Sequence, residues 1–142
     1  MKTLAQDRAS DALRCVKALP EGDGSAALCS RYRAYVERLG PAILINGLGQ
    51  AVAGELAAAG AKPESAEEKA HQKLVANLSG WLCRDNDGVY PHRKNADGKY
   101  LLQQVIEGNQ ADYTLAQAEA IAWLTWHKKF CRAAIPTEAV PE

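Results

Sequence analysis

Three things are missing from this chain: a net charge, a long apolar run, and any close pairing of its cysteines. The 17 Lys+Arg balance 17 Asp+Glu, so no bulk field draws the protein to nucleic acid or acidic lipid, and any polyanion site must be local. The most apolar stretch, Ala42 to Leu48, is interrupted by Asn46 and is far shorter than the roughly 20 residues a membrane-spanning helix needs. The opening MKTLAQDRASD puts charges where the apolar centre of a secretory signal would lie. The expected location is cytoplasmic. Cys15, Cys29, Cys83 and Cys131 form no CxxC pair, which removes the zinc-ribbon and redox motifs and leaves reduced, half-buried thiols as the expectation.

What is present is Ala and Leu in quantity, few β-branched residues, and apolar positions recurring every three or four residues. That period predicts an all-α protein. A length of 142 residues suits one core, so residues 1–135 are expected to form a single bundle of about five or six helices, with a C-terminal tail over 136–142.

A first helix is expected over Thr3 to Leu19, ended by PEGDG, and a second after a Ser25 cap, carrying Leu28, Tyr32, Tyr35, Val36 and Leu39. Gly40 and Pro41 read as a stop and a restart. A third helix would then run unbroken from Ala42 to about Ala59. Ser65 and Glu68 form a capping box for a fourth, which ends near Cys83. Asp85 to Lys99 reads as a long exposed loop, with room for a short hairpin. A short helix over Tyr100 to Glu107 precedes a last one, placed by the box Thr114/Gln117 and ending near Ala134. Its apolar residues keep to no single stripe: Leu115, Ala118, Ala122 and Trp126 share one face, while Ile121 and Leu124 lie nearly opposite. Either the helix is central, or part of it is left for a partner.

The stretch PAILINGLGQAVAG admits three readings. A dinucleotide turn needs Gly or Ala three residues after Gly49, where Val52 stands, and a preceding strand. A helix-hairpin-helix module would use amides freed at Gly47 and Gly49 to hold DNA phosphate, but Pro41 leaves its first helix little more than one turn. The favoured reading is the unbroken helix, with Gly47, Ala51, Gly54 and Ala58 on one close-packing face, and with Asn46 and Gln50 projecting together one turn apart. A chain that turns at the paired glycines would overturn it.

Three segments, RASDALRCV, YVERLGPAILINGLGQAVA and LLQQVIEGNQADYTLAQAEAIAWLTWHKKFCRA, together resemble the small subunit of the type III-B CRISPR RNA-guided effector, the Cmr complex. The resemblance covers nearly the whole chain to about Ala134. It implies a helical subunit with no catalytic activity, stacking in copies as a short filament beside the subunits that hold the guide RNA, and helping to bind guide and target RNA. Its partners would be those subunits, the two RNAs and copies of itself.

Neutrality then requires that charge be segregated. The candidate backbone-binding residues are Arg8, Arg14 and Lys17 on the first helix, Arg31 and Arg38 on the second, Asn46 and Gln50 in the middle, and Lys128, Lys129 and Arg132 near the end. Taken singly, each is a solvated surface residue. No catalytic residue, cofactor or metal set can be named. His127 and Cys131 have half the spacing of a zinc site without a second pair, His71 sits among apolar positions, and DNDG lacks the ligand positions of a calcium loop. The alternative function is a free-standing helix-hairpin-helix DNA-binding protein using Gly47 and Gly49.

Overall fold

The computed structural model describes residues 2–22 and 24–137. Among them are six helices: α1 (Leu4–Lys17), α2 (Ala26–Asn46), α3 (Leu48–Ala59), α4 (Ala66–Leu82), α5 (Gly98–Glu107) and α6 (Gln110–Ala134), with no strand among the described residues. The all-α expectation holds. Of the expected tail, residues 138–142 lie outside the described residues.

Local chemistry starts most of these helices. Thr3 and Gln6 exchange side-chain hydrogen bonds with each other's amides at the head of α1, and Ser65 and Glu68 do the same for α4. Two expected starts differ. Ser25 precedes α2, but its hydroxyl donates to the Gly22 carbonyl and caps nothing. Helix α6 opens a turn before Thr114: the Asn109 side chain accepts from the Asp112 amide, and Thr114 lies inside, its hydroxyl donating to the Gln110 carbonyl. Asn is the better cap of the two, and the earlier start lengthens the helix.

The largest departure is in α2. It runs through Gly40 and Pro41 and stops at Gly47, so the expected restart at Ala42 and the unbroken helix from Ala42 to Ala59 are both corrected. Tyr32, Val36, Leu39 and Ile43 recur at helical spacing across the proline and are fully or nearly fully buried. Burying each is worth about 1.5–3 kcal/mol. Together they outweigh the roughly 3 kcal/mol that an internal proline costs. Gly40 lowers that cost, since it has no Cβ to meet the proline ring. Gly47 then takes φ +88°, a backbone that L side chains rarely adopt, and serves as the whole connection: its amide donates to Ile43 and its carbonyl accepts from Ala51.

Helix α6 is the shared partner. Arg8 meets Glu119, Asp11 meets Trp123, and the Ala12 carbonyl meets His127, so α1 runs parallel to α6. Arg33 bonds the Ile135 carbonyl, Glu37 meets Arg132, and Gly49 meets Tyr113, so α2 and the start of α3 run antiparallel to it. Helix α6 is central on one face and open on another. Ala116, Ala120, Trp123, Leu124 and Cys131 are buried among four other helices. Leu115 and Trp126, on the other face, are 56% and 38% exposed.

Between α4 and α5 the expected loop is present, without a hairpin of strands among its residues. It is tied back to the bundle by Tyr90, which is buried and donates its amide to Leu82, and by the His92 ring, which bonds the Cys83 carbonyl.

Candidate nucleic-acid interface

The parallel pairing of α1 with α6 and the antiparallel pairing of α2 place most of the candidate cations at one end of the bundle. Arg14 and Lys17 close α1, Lys128, Lys129 and Arg132 close α6, Arg31 sits in the half of α2 that faces the end of α6, and Arg38 lies just past its middle, next to the Glu37 that meets Arg132. Asn46 and Gln50 are exposed at the opposite end, near Gln117, and the break at Gly47 puts them on different helices. Their expected projection from one helix face is corrected.

Carboxylates reduce what several of these cations can offer. Arg8 is largely buried and forks onto Glu119 at 2.6 and 3.0 Å. Glu119 also accepts from the Trp81 indole at 3.0 Å. Burial opposes its ionisation, but the hydrogen bonds from Arg8 and Trp81 outweigh it and hold the carboxyl below its ordinary value. Arg8 therefore seals α1 to α6, and an RNA phosphate would have to displace Glu119 to reach it. Arg14 bonds Asp11 at 2.7 Å, Arg31 stands 3.4 Å from Glu67, and Arg132 is held in a forked pair with Glu37. The last three pairs are exposed and worth little, so phosphate can compete for them. Arg38 lies over the Tyr35 ring at 5.5 Å. Lys17, Lys128 and Lys129 have no ion pair among the described residues.

Next to this end, α2 and α6 leave a cavity of about 250 Å³ lined by Glu37, Gly40, Pro41, Leu44, Leu124 and Lys128. Leu44 is 68% exposed and Ile45 79%. Two large aliphatic side chains are thus held in water in the last turn of α2.

At the glycine turn, the amides a phosphate would need are already bonded. Leu48 N–H donates to Gln117 Oε1 at 3.0 Å and Gly49 N–H to the Tyr113 hydroxyl at 3.3 Å. A Cβ on Gly47 would come within 2.8 Å of that hydroxyl. The turn resembles a hairpin in sequence but is filled from within by α6. Nothing in the sequence around Gly47 announces this, since Tyr113 and Gln117 lie more than 60 residues away; their one-turn spacing on α6 was the only signal.

The remaining chemistry is structural. His127 donates from Nδ1 to the Ala12 carbonyl at 2.9 Å, which makes Nε2 the acceptor for the Tyr32 hydroxyl at 2.5 Å, and Asn77 donates to that hydroxyl in turn. Both ring nitrogens are used, and burial lowers the His127 pKa to about 4. His71 bonds Glu55 and stacks on Tyr35. Burial raises the Cys15 and Cys131 thiols to about 12 and Cys83 to about 11, so they stay protonated and inert. Among the described residues, no three His, Cys, Asp or Glu side chains gather as metal ligands would.

The family model for CRISPR-associated protein (Cas_Cmr5) matches residues 4–134, from the first residue of α1 to the last of α6. The chain belongs to the Cmr5 family. Its fold is that of a CRISPR-associated Cmr5 family protein from Thermus thermophilus, known from an X-ray crystal structure: TM-score 0.71 at 24% identity, over 95% of this chain and all of the other. Cmr5 proteins are small structural subunits of the Cmr complex, so association with other Cmr subunits follows from membership. No helix among the described residues is long and apolar enough to cross a membrane.

Proposed function

We propose that this Cmr5 protein acts in the cytoplasm as a non-catalytic spacer of the type III-B effector, stacking in copies beside the guide-RNA backbone subunits and holding the guide/target duplex through non-specific phosphate contacts. The family match across residues 4–134 carries this reading. Two features of the molecule support it. Lys17, Lys128 and Lys129, with the exchangeable Arg14, Arg31 and Arg132, gather at one end of a protein whose total charge is zero. Leu44 and Ile45 offer the apolar contact that stacking requires. Base pairing reads the sequence in such assemblies, so the protein needs only to neutralise phosphates.

The test is reconstitution of the complex with charge-reversed subunits. Lys17→Glu/Lys128→Glu/Lys129→Glu is expected to lower target-RNA affinity about tenfold and to flatten its salt dependence, because several phosphate contacts are lost. Leu44→Glu/Ile45→Glu should instead lower the number of copies incorporated, read by native mass spectrometry. Full incorporation with unchanged RNA affinity and salt slope in both variants would overturn the proposal. The helix-hairpin-helix alternative gains nothing from this geometry, because DNA would have to displace Gln117 and Tyr113 before reaching the turn amides.

A further inference from the structure

On the side of the bundle formed by α3, α4 and the start of α5 lies a cavity of about 450 Å³ whose floor is aliphatic, with Leu28, Leu56, Val75 and Ala76 among its lining. Lys69, Lys73 and Lys99 line it as well. Lys69 and Lys73 are one turn apart on α4 and so share a face. The single carboxylate of the lining, Asp97, is committed to α5, where its Oδ1 accepts from the Tyr100 amide at 2.9 Å. A second cavity of about 390 Å³ shares Asp97 and Lys99 and adds Arg93 and Lys94. Five cations thus surround a joined depression in which one occupied carboxylate answers them. Unlike Arg8, Arg14 and Arg132, none of the five has an ion pair among the described residues.

We propose that this groove is a docking site for a segment of a neighbouring protein chain in which carboxylates flank apolar side chains. Charge complementarity names the carboxylates, and the aliphatic floor names what stands between them. Nucleic acid is the other polyanion, and the lining argues against it. Single strands are held by stacking bases on aromatic rings, yet the larger cavity has no aromatic residue in its lining, and Tyr100 beside it is covered by the Arg93 guanidinium at 5.1 Å. An aliphatic trough gives a phosphate backbone nothing. The floor is also preformed: a Cβ on Gly98 would come within 2.7 Å of Val75 and 2.8 Å of Leu56, so α5 is seated directly on α3 and α4 and the groove exists before a ligand arrives. The groove shares no cation with the RNA reading, which uses Arg14, Lys17, Arg31, Lys128, Lys129 and Arg132.

The probes are a short synthetic peptide alternating Glu with Leu and Val, the same peptide with Ser at every apolar position, and oligouridylate, each titrated into the full chain. Binding is read by anisotropy and by amide chemical shifts. The Glu/Leu/Val peptide should shift the amides of Ala76, Gly98 and Lys99 and bind at least about tenfold tighter than the Ser version. Its affinity should fall about tenfold in Lys69→Glu/Lys99→Glu, two exposed positions whose reversal leaves the helical circular dichroism unchanged. A second variant, Ala76→Glu, places a carboxylate in the groove and should weaken the peptide in the same way. Equal binding of both peptides, displacement of the peptide from these amides by oligouridylate, indifference to both variants, or self-association of the chain abolished by them would each overturn the proposal. The last outcome would name a second copy as the occupant.

Discussion

Gly40-Pro41 and Asn46-Gly47 are both sequences that end helices, and only the weaker of the two does so. By local propensity the proline is the break and the glycine a tolerated weak spot. In the fold α2 passes through Pro41 and ends at Gly47. The difference lies in what each dipeptide meets. Around Pro41 the chain buries a continuous face against α4 and α6, and Gly40 has open space beside it. Around Gly47 the side chains of Tyr113 and Gln117 take the amides of the next turn, which rewards the break with two hydrogen bonds. Long-range contacts choose among the options that local chemistry allows.

The sharpest way to break this comparison is Gly47→Ala. A side chain at φ +88°, facing the Tyr113 hydroxyl at 2.8 Å, should cost about 3 kcal/mol in urea unfolding. A cost below about 1 kcal/mol would mean that the turn is not held by α6.

Acid tests the opposing side, where α2 is fastened to α6 by Tyr32 and His127. The His127 pKa is lowered by burial to about 4 in the folded chain, against about 6.5 unfolded. The unfolded chain therefore binds more protons between these values, and stability present above pH 6.5 is lost as pH falls toward 4. Between pH 7 and 5 the loss should be about 2 kcal/mol, and His127→Gln should flatten that slope. A slope unchanged by the substitution would place the acid sensitivity elsewhere.

Next in size is Pro41→Ala. Position 41 is exposed and helical, so restoring the missing amide should stabilise the protein by about 1–2 kcal/mol, less than the full helix-interior penalty because the proline also restrains the unfolded chain. Destabilisation would show that the proline shapes α2 in a way burial alone does not explain. The smallest effect belongs to Gly40→Ala. In the Pro41→Ala background it should gain about 0.7 kcal/mol, whereas beside the native proline the new Cβ meets the ring and the gain should vanish. A double-mutant cycle measures that coupling, and strict additivity would mean that Gly40 does nothing to ease the proline.

The same contrast explains how much could be read from sequence. The helices whose starts are written in adjacent residues, Thr3 with Gln6 and Ser65 with Glu68, were legible, as were the buried face of α2 and the α5 segment, because period and caps are local signals. The path through Pro41 and the turn at Gly47 were not, since both depend on residues of α6 far along the chain. The family was legible from three segments in order. For the candidate interface the sequence supplies the cations but not what they pair with. Most of the cations of α1, α2 and α6 share an end, Arg8 apart, but their carboxylate partners, Glu119 for Arg8 above all, are visible only once the helices are packed. Lys69 and Lys73 went unremarked because a pair of lysines on one helix face is ordinary until a lysine from the next helix joins them.

The bonds between α1 and α6, from Arg8 to Glu119, Asp11 to Trp123 and Ala12 to His127, join residues 111 to 115 positions apart. During synthesis α1 leaves the ribosome before α6 and must wait, without its main partner, until α6 has followed. A nascent or prematurely ended product keeps the apolar side of α1 in water, where chaperones and proteases can recognise it.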